Sequence, residues 1–327
     1  MEVRAARVQA FGEPSQVIVD TAPGRAPEAG EVRIGVYATG VNFVEVVQVA
    51  GQYQIPLHLP FTPGFELSGK VLECGPGVDE VRPGTRVIAV ATHGTYADEV
   101  VLPVANIVPI PAQMDLLTAA AFPVAFATAH LCLIRRARLA RDETLVVHGA
   151  TGSVGAAAVQ VGKRLGARVI AVTGTPERVL GTADHVIDRR TEDVAERVKE
   201  LTGGKGADII FDPVGGNTFA SSLGCIAWEG RILTVGYASG VIPRVDLIDV
   251  LIRNCAVIGE DLAGYVARDV GVVTRALTEL VDWYQDGSLH PISPRVVPLA
   301  DAAAALAAVA AGAAGGKVVL ATGRPWT

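Results

Sequence analysis

The sequence predicts an α/β protein made of a β-rich part and a doubly wound parallel sheet, and three observations carry that prediction. Glu143 to Thr175 reads as strand, glycine turn, helix and strand, about 30 residues in all, the size of a dinucleotide-binding βαβ unit. From Val3 to Pro111, short apolar runs alternate with turns rich in glycine and proline, the texture of an all-β domain. At 327 residues the chain is long for one hydrophobic core, so two domains are expected.

In the β-rich part the apolar runs are Glu31–Val36, Leu67–Leu72, Arg86–Val90 and Tyr96–Val101, and only Phe43 to Ala50 shows a helical period. From Leu117 the pattern turns helical. Thr144 to His148 is apolar and β-branched, which suits a strand buried on both faces. After the glycine turn a helix runs from Ala156 to Leu165, and Gly166 stops it as a C′ glycine does. Further strands are expected at Arg168–Val172, His185–Asp188, Asp208–Asp212, Arg231–Val235 and Ala256–Gly259, with helices at Glu192–Leu201 and after Gly216. With Thr144–His148 they complete a six-stranded parallel sheet with helices on both faces. Val266–Gln285 reads as helix; Val296-Val297, an alanine helix and Lys317–Leu320 are expected to return to the first domain. The resulting boundaries are 1–122, 123–262 and 263–327.

Half of the residues are hydrophobic, 19% are charged and the net charge is −6. The positive charges are scattered, so neither nucleic acid nor a membrane surface is an expected partner. Met1 to Arg7 lacks the apolar core of a signal peptide, and a cytoplasmic protein is expected. Leu116 to Ile134 is interrupted by Pro123 and His130, and Ala302 to Gly316 is short and weakly hydrophobic. Both read as packed helices, not membrane spans. Cys74, Cys132, Cys225 and Cys255 have no paired spacing, so neither a zinc knuckle nor a disulfide framework is expected.

Gly149, Gly152 and Gly155 recur every three residues ahead of the helix, and with Ser153 and Val154 between them they form the expected cofactor-binding turn. Gly152 lets backbone approach a pyrophosphate, and Gly155 lets the helix sit close on the strand with its N-terminal amides toward the phosphates. The next strand ends in Thr173-Gly174-Thr175, where an NAD binder carries Asp or Glu. Arg178 and Arg189-Arg190 lie nearby. An uncharged strand end with arginines accepts a 2′-phosphate that a carboxylate would repel, so NADPH is the expected cofactor.

The chain resembles the zinc-independent quinone oxidoreductase (ζ-crystallin-like) branch of the medium-chain dehydrogenase/reductase superfamily over essentially its whole length. The resemblance rests on Gly40-Val41-Asn42-Phe43, Gly51-Gln52-Tyr53, Pro63 to Gly69, Gly75 to Val78, His148 to Gly155, Gly236 to Gly240 and Gly316 to Leu320, in the family's order. It implies a GroES-like β-rich catalytic domain interrupted by a Rossmann domain, with the cofactor between them, and dimers joined at the last Rossmann strand. It implies NADPH-dependent reduction of quinones or activated alkenes. By position, Arg178 matches the basic residue for the 2′-phosphate, and Arg189 stands where members often have a tyrosine near the adenosine. Asn42, Tyr53 and Thr128 match positions lining the nicotinamide, and Gly236 a cofactor-side glycine. The chain departs from the family between Thr175 and Ala183, where it is about four residues shorter, roughly one helical turn. Glu45 replaces a common Asp and Val49 an arginine.

Zinc alcohol dehydrogenases, which share this architecture, carry Cys where Asn42 stands and His where Phe65 stands. Neither residue present ligates zinc, so no metal is expected. None of the six tyrosines has a lysine four residues on, which excludes a Tyr-x-x-x-Lys reductase site, and His148 and His185 read as structural. What remains is hydride transfer to an acceptor that is already electrophilic, a quinone or an α,β-unsaturated carbonyl. Tyr53 is the candidate donor to the developing oxyanion, and Asn42 the candidate to orient substrate or a water. The alternatives are an enoyl-thioester reductase of a biosynthetic pathway and a non-catalytic NADPH-binding protein.

Overall fold

The computed structural model describes residues 2–179 and 183–324. β1 (Glu2–Val8) and β2 (Val17–Pro23) pair antiparallel. β3 (Glu31–Val41) is a long strand that pairs with three others. α1 (Phe43–Val49) follows at once, because Glu45 reaches back to the N–H of Asn42 and caps it. β4 (Glu66–Cys74), β5 (Arg86–Val90), β6 (Glu99–Pro103) and β7 (Ile107–Pro109) complete this stretch. β6 starts later than the expected Tyr96, whose side chain is fully buried and whose N–H is spent on Pro63.

α2 (Leu116–Ala120) is capped by Asp115, which accepts the N–H of Thr118. α3 (Pro123–His130) starts on a proline and runs into a π-helical turn, Leu131–Arg136. The long uncharged run is therefore broken into pieces. Among the described residues no helix is long and apolar enough to cross a membrane.

β8 (Thr144–His148) is buried at every residue. α4 (Ser153–Arg164) begins beyond the glycine turn and ends before Gly166, which stands at φ +82°. Next come β9 (Arg168–Thr173), β10 (His185–Asp188), α5 (Val194–Leu201), β11 (Ala207–Asp212) and α6 (Asn217–Cys225). β12 (Ile226–Thr234) starts earlier than its expected Arg231, with Glu229 at φ +61° interrupting it. α7 (Leu247–Arg253) and β13 (Ala256–Gly259) follow. α8 (Leu262–Gln285) also begins earlier than expected, and Asp269, at φ −157°, breaks it. β14 (Arg295–Pro298), α9 (Ala302–Ala310) and β15 (Val318–Ala321) end the described chain.

The chain divides into two units. One comprises Met1–Val124, Ala263–Gln285 and Pro291–Thr327. Its larger sheet runs β14-β15-β3-β4-β5-β7, with β6 also on β3. β15 returns to this sheet antiparallel to β3, setting Val318 opposite Val41. Val8, Phe61, Leu306 and Leu320 fill one core of the unit, and Ile34, Leu67, Val71 and Val87 another.

The other unit is Ala125–Leu262 with Asp286–His290. Its six strands are all parallel, in the order β10-β9-β8-β11-β12-β13. The order reverses between β8 and β11, and a dinucleotide binds outside the carboxyl ends of the strands at such a switch. Val146, Ile170, Ile187, Ile210 and Ile232 pack its core; each such side chain contributes about 1.5–3 kcal/mol by burial.

Candidate active site

The turn from β8 to α4 is four residues, Gly149 to Gly152. Gly149 stands at φ +60°, and its carbonyl accepts the N–H of Gly152 at 2.9 Å. A Cβ on Gly155 would lie 2.2 Å from that same carbonyl oxygen. Only glycine lets the first turn of α4 seat so close. A Cβ on Gly152 would stand 3.2 Å from it, tighter than ordinary contact. Ser153 and Val154 open α4, and the first N–H groups of a helix have no acceptor within it. Narrow backbone and unspent N–H groups fit a pyrophosphate.

A three-threonine cluster joins this turn to the end of β9. Thr151 Oγ1 lies 2.8 Å from Thr173 Oγ1 and 3.0 Å from Thr175 Oγ1. The Arg189 guanidinium lies over Gly174, 3.4–3.6 Å from where a Cβ there would stand, and the backbone N–H of Arg189 donates to the Thr173 carbonyl. Arg178 ends a short 3-10 turn, Pro176–Arg178. Arg190 is instead drawn to Asp188, at 2.7 Å. Hydroxyls, glycine backbone and a guanidinium thus meet at one place. Residues 180–182, in the shortened segment, lie outside the described residues.

Asp212 and His148 adjoin the turn, and Gly236 and Thr128 lie elsewhere in the same unit. The Asp212 carboxylate accepts the N–H groups of Val214 and Gly215, and a Cβ on Gly149 would touch Val214 at 3.1 Å. His148 is buried beside Ser222, and burial pulls its pKa down to about 4. Burial thus favours its neutral form, which suits a packed imidazole. Gly236 follows β12, where a Cβ would meet only the Pro213 carbonyl at an ordinary 3.5 Å; Thr128 is buried on α3.

In the β-rich unit, Asn42 sits in a buried ionic cluster. Lys317 Nζ donates to Asn42 Oδ1 and to Glu66 Oε1, both at 2.5 Å. Asn42 Nδ2 donates to Glu66 Oε1 at 3.0 Å and to Glu45 Oε1 at 3.2 Å. Glu66 Oε2 accepts the Val124 N–H at 2.7 Å. Lysine only donates and carboxylates only accept, so the amide has one orientation. Both its hydrogens are spent. The expected role of Asn42 in orienting substrate or water narrows to what its oxygen still accepts.

The sequence displays Glu66 and Lys317 only as charges at the heads of apolar strands. That signal marks them as unusual without pairing them. Tyr53 lies close by, its ring edge-on to Phe65 with centroids 5.9 Å apart. The Phe65 carbonyl accepts the Ala91 N–H. The Ile55–Phe61 and Ala91–Gly94 loops line a groove of about 890 Å³ whose walls include neither Tyr53 nor Asn42.

Known proteins resemble the chain throughout. Residues 28–112 match the alcohol dehydrogenase GroES-like domain and residues 182–320 the zinc-binding dehydrogenase domain. The quinone oxidoreductase-like protein 2 of Mus musculus is 35% identical over 295 residues, covering 89% of this chain and 84% of that protein. The 2-haloacrylate reductase of a Burkholderia species is 30% identical over 332 residues, 97% of this chain and 98% of the other. A mycobacterial protein solved in complex with NADPH superposes with a TM-score of 0.89 at 31% identity, covering 97% of this chain and 99% of that one.

Proposed function

Because the chain belongs to the quinone oxidoreductase branch of the medium-chain dehydrogenase/reductase superfamily, we propose that it is an NADPH-dependent reductase. Its acceptor is a quinone or an α,β-unsaturated carbonyl, and no metal takes part. One observation carries the cofactor choice: residues 173–175 at the end of β9 offer hydroxyls and backbone under Arg189, and none of the three is acidic. A 2′-phosphate gains charge-assisted hydrogen bonds there. The relative solved with NADPH supports this choice, and the 2-haloacrylate reductase supports an activated alkene as acceptor.

NADPH, when bound, supplies a hydride to an acceptor already short of electrons. The chain's task is to align acceptor and cofactor and to meet the anion that results. Tyr53 donates a hydrogen bond and then a proton to that oxyanion. Phe65 ligates no metal, and Asn42 is committed to Lys317, whose ammonium would repel a cation. Chelation therefore leaves activity unchanged.

The test follows NADPH absorbance with 1,4-benzoquinone, a 2-enal and an enoyl thioester, with NADH and EDTA controls. Turnover of quinone or enal with NADPH, insensitive to EDTA, is expected. Binding of NADPH with no turnover of any acceptor would make the chain a binding protein. Loss of activity with EDTA, restored by zinc, would overturn the metal-free reading.

A further inference from the structure

Glu45 has no exposed surface, yet its carboxyl takes three N–H groups. They come from Asn42 N at 2.8 Å, Asn42 Nδ2 at 3.2 Å and Phe65 N at 3.2 Å. These bonds tie the start of α1 to the residue before β4, and Phe65 carries the ring of Tyr53. Among the described residues, the charged and titratable groups acting on Glu45 are Glu66 on β4, Lys317 ahead of β15 and Tyr96 ahead of β6, with Tyr53 beyond Phe65. The Tyr96 hydroxyl is buried with no hydrogen-bond partner among the described residues.

The cluster sets one ammonium against two carboxylates. Lys317 neutralises Glu66, which it contacts at 2.5 Å. The second carboxyl either keeps a proton or leaves a net negative charge in a buried place, which is costly. We propose that Glu45 is a positioning residue for the reduction: it fixes Asn42 and the Phe65–Tyr53 pair, and its proton decides whether the cluster is neutral. This rests on the reductase reading above. A neutral cluster lets an oxyanion form at Tyr53, and a negative one opposes it.

The protonation state is poised to matter. Burial raises the Glu45 pKa to about 7, with Glu66 adding to the rise and Lys317 and the Asn42 bond opposing it. The folded state then holds this proton more tightly than the unfolded chain does. Its contribution to stability is full below the ordinary glutamate value of about 4.3 and is lost as pH rises to about 7.

Two measurements on wild type, Glu45→Gln and Glu45→Asp test this. The first is Tm from pH 4.5 to 8.5 without substrate. The wild-type Tm minus that of Glu45→Gln should fall up to pH about 7 and then level off. The second is kcat for a quinone between pH 6 and 8. Wild type should lose up to about tenfold, the ratio of protonated fractions. Glu45→Gln should lose that dependence, and Glu45→Asp, still a carboxylate, should retain a sloping limb. A flat Tm difference overturns the proposal, as does the same kcat profile in wild type and Glu45→Gln. A wild type that binds NADPH and reduces no acceptor, with the expected Tm difference, overturns the reductase reading and leaves Glu45 structural.

Discussion

Tyr53 and Lys317 sit in one unit and should fail in different ways. If the phenol of Tyr53 serves the developing oxyanion, Tyr53→Phe lowers kcat for an enone by about tenfold to a hundredfold, since general-acid terms reach about 10²–10⁴ and water replaces part of them. NADPH affinity, read by fluorescence titration, should hold. Weaker NADPH binding at unchanged kcat would make Tyr53 a cofactor or packing residue. Lys317 answers to stability instead. Its side chain and that of Glu66 are 4% and 0% exposed. Lys317→Met strands a buried carboxylate and should cost about 3–5 kcal/mol in chemical denaturation. Adding Glu66→Gln should recover part of that loss. A single Lys317→Met within about 1 kcal/mol of wild type would show that the pair contributes nothing net.

At the scale of elements, the β8–α4 turn and the end of β9 were legible because their constraints are local. Gly155 faces Gly149 six residues away, and a glycine triplet after an apolar run announces that packing. β6 and β12 were misjudged at their starts for the opposite reason. Tyr96 is apolar enough to extend a strand, but it is held in a bend by Pro63 and buried by distant residues. The cluster at Asn42 was illegible because Glu66 and Lys317 are 251 positions apart, and no local period links them. The end of β9 yields its own prediction. NADPH should bind at least tenfold tighter than NADH, because a charge-assisted phosphate contact contributes about 1.5–3 kcal/mol. Arg178→Ala and Arg189→Ala should each erode that preference, and the double variant should erase most of it, as read by titration with both cofactors. Equal affinities in the wild type would sink the 2′-phosphate site.

For the whole molecule, the open question is what covers β13. It is the last strand of its sheet, and Val257 on it is 37% exposed. Beside it in sequence, α7 leaves Leu247, Ile248, Leu251 and Ile252 between 59% and 80% exposed, and Val241 and Ile242 precede it, also exposed. Lone exposed apolar residues are ordinary, but six within twelve positions, next to a strand edge that no described strand pairs, are a liability for a monomer. A second copy related by a twofold axis would pair β13 with β13 and bury both apolar stretches together. The protein should therefore sediment as a dimer at micromolar concentration. Leu247→Glu/Leu251→Glu would place four carboxylates in such a twofold interface and should split it, while leaving the NADPH titration unchanged, since both residues lie on α7 and away from the β8–α4 turn in sequence. A wild-type monomer, or a double variant that stays dimeric, would put the contact elsewhere.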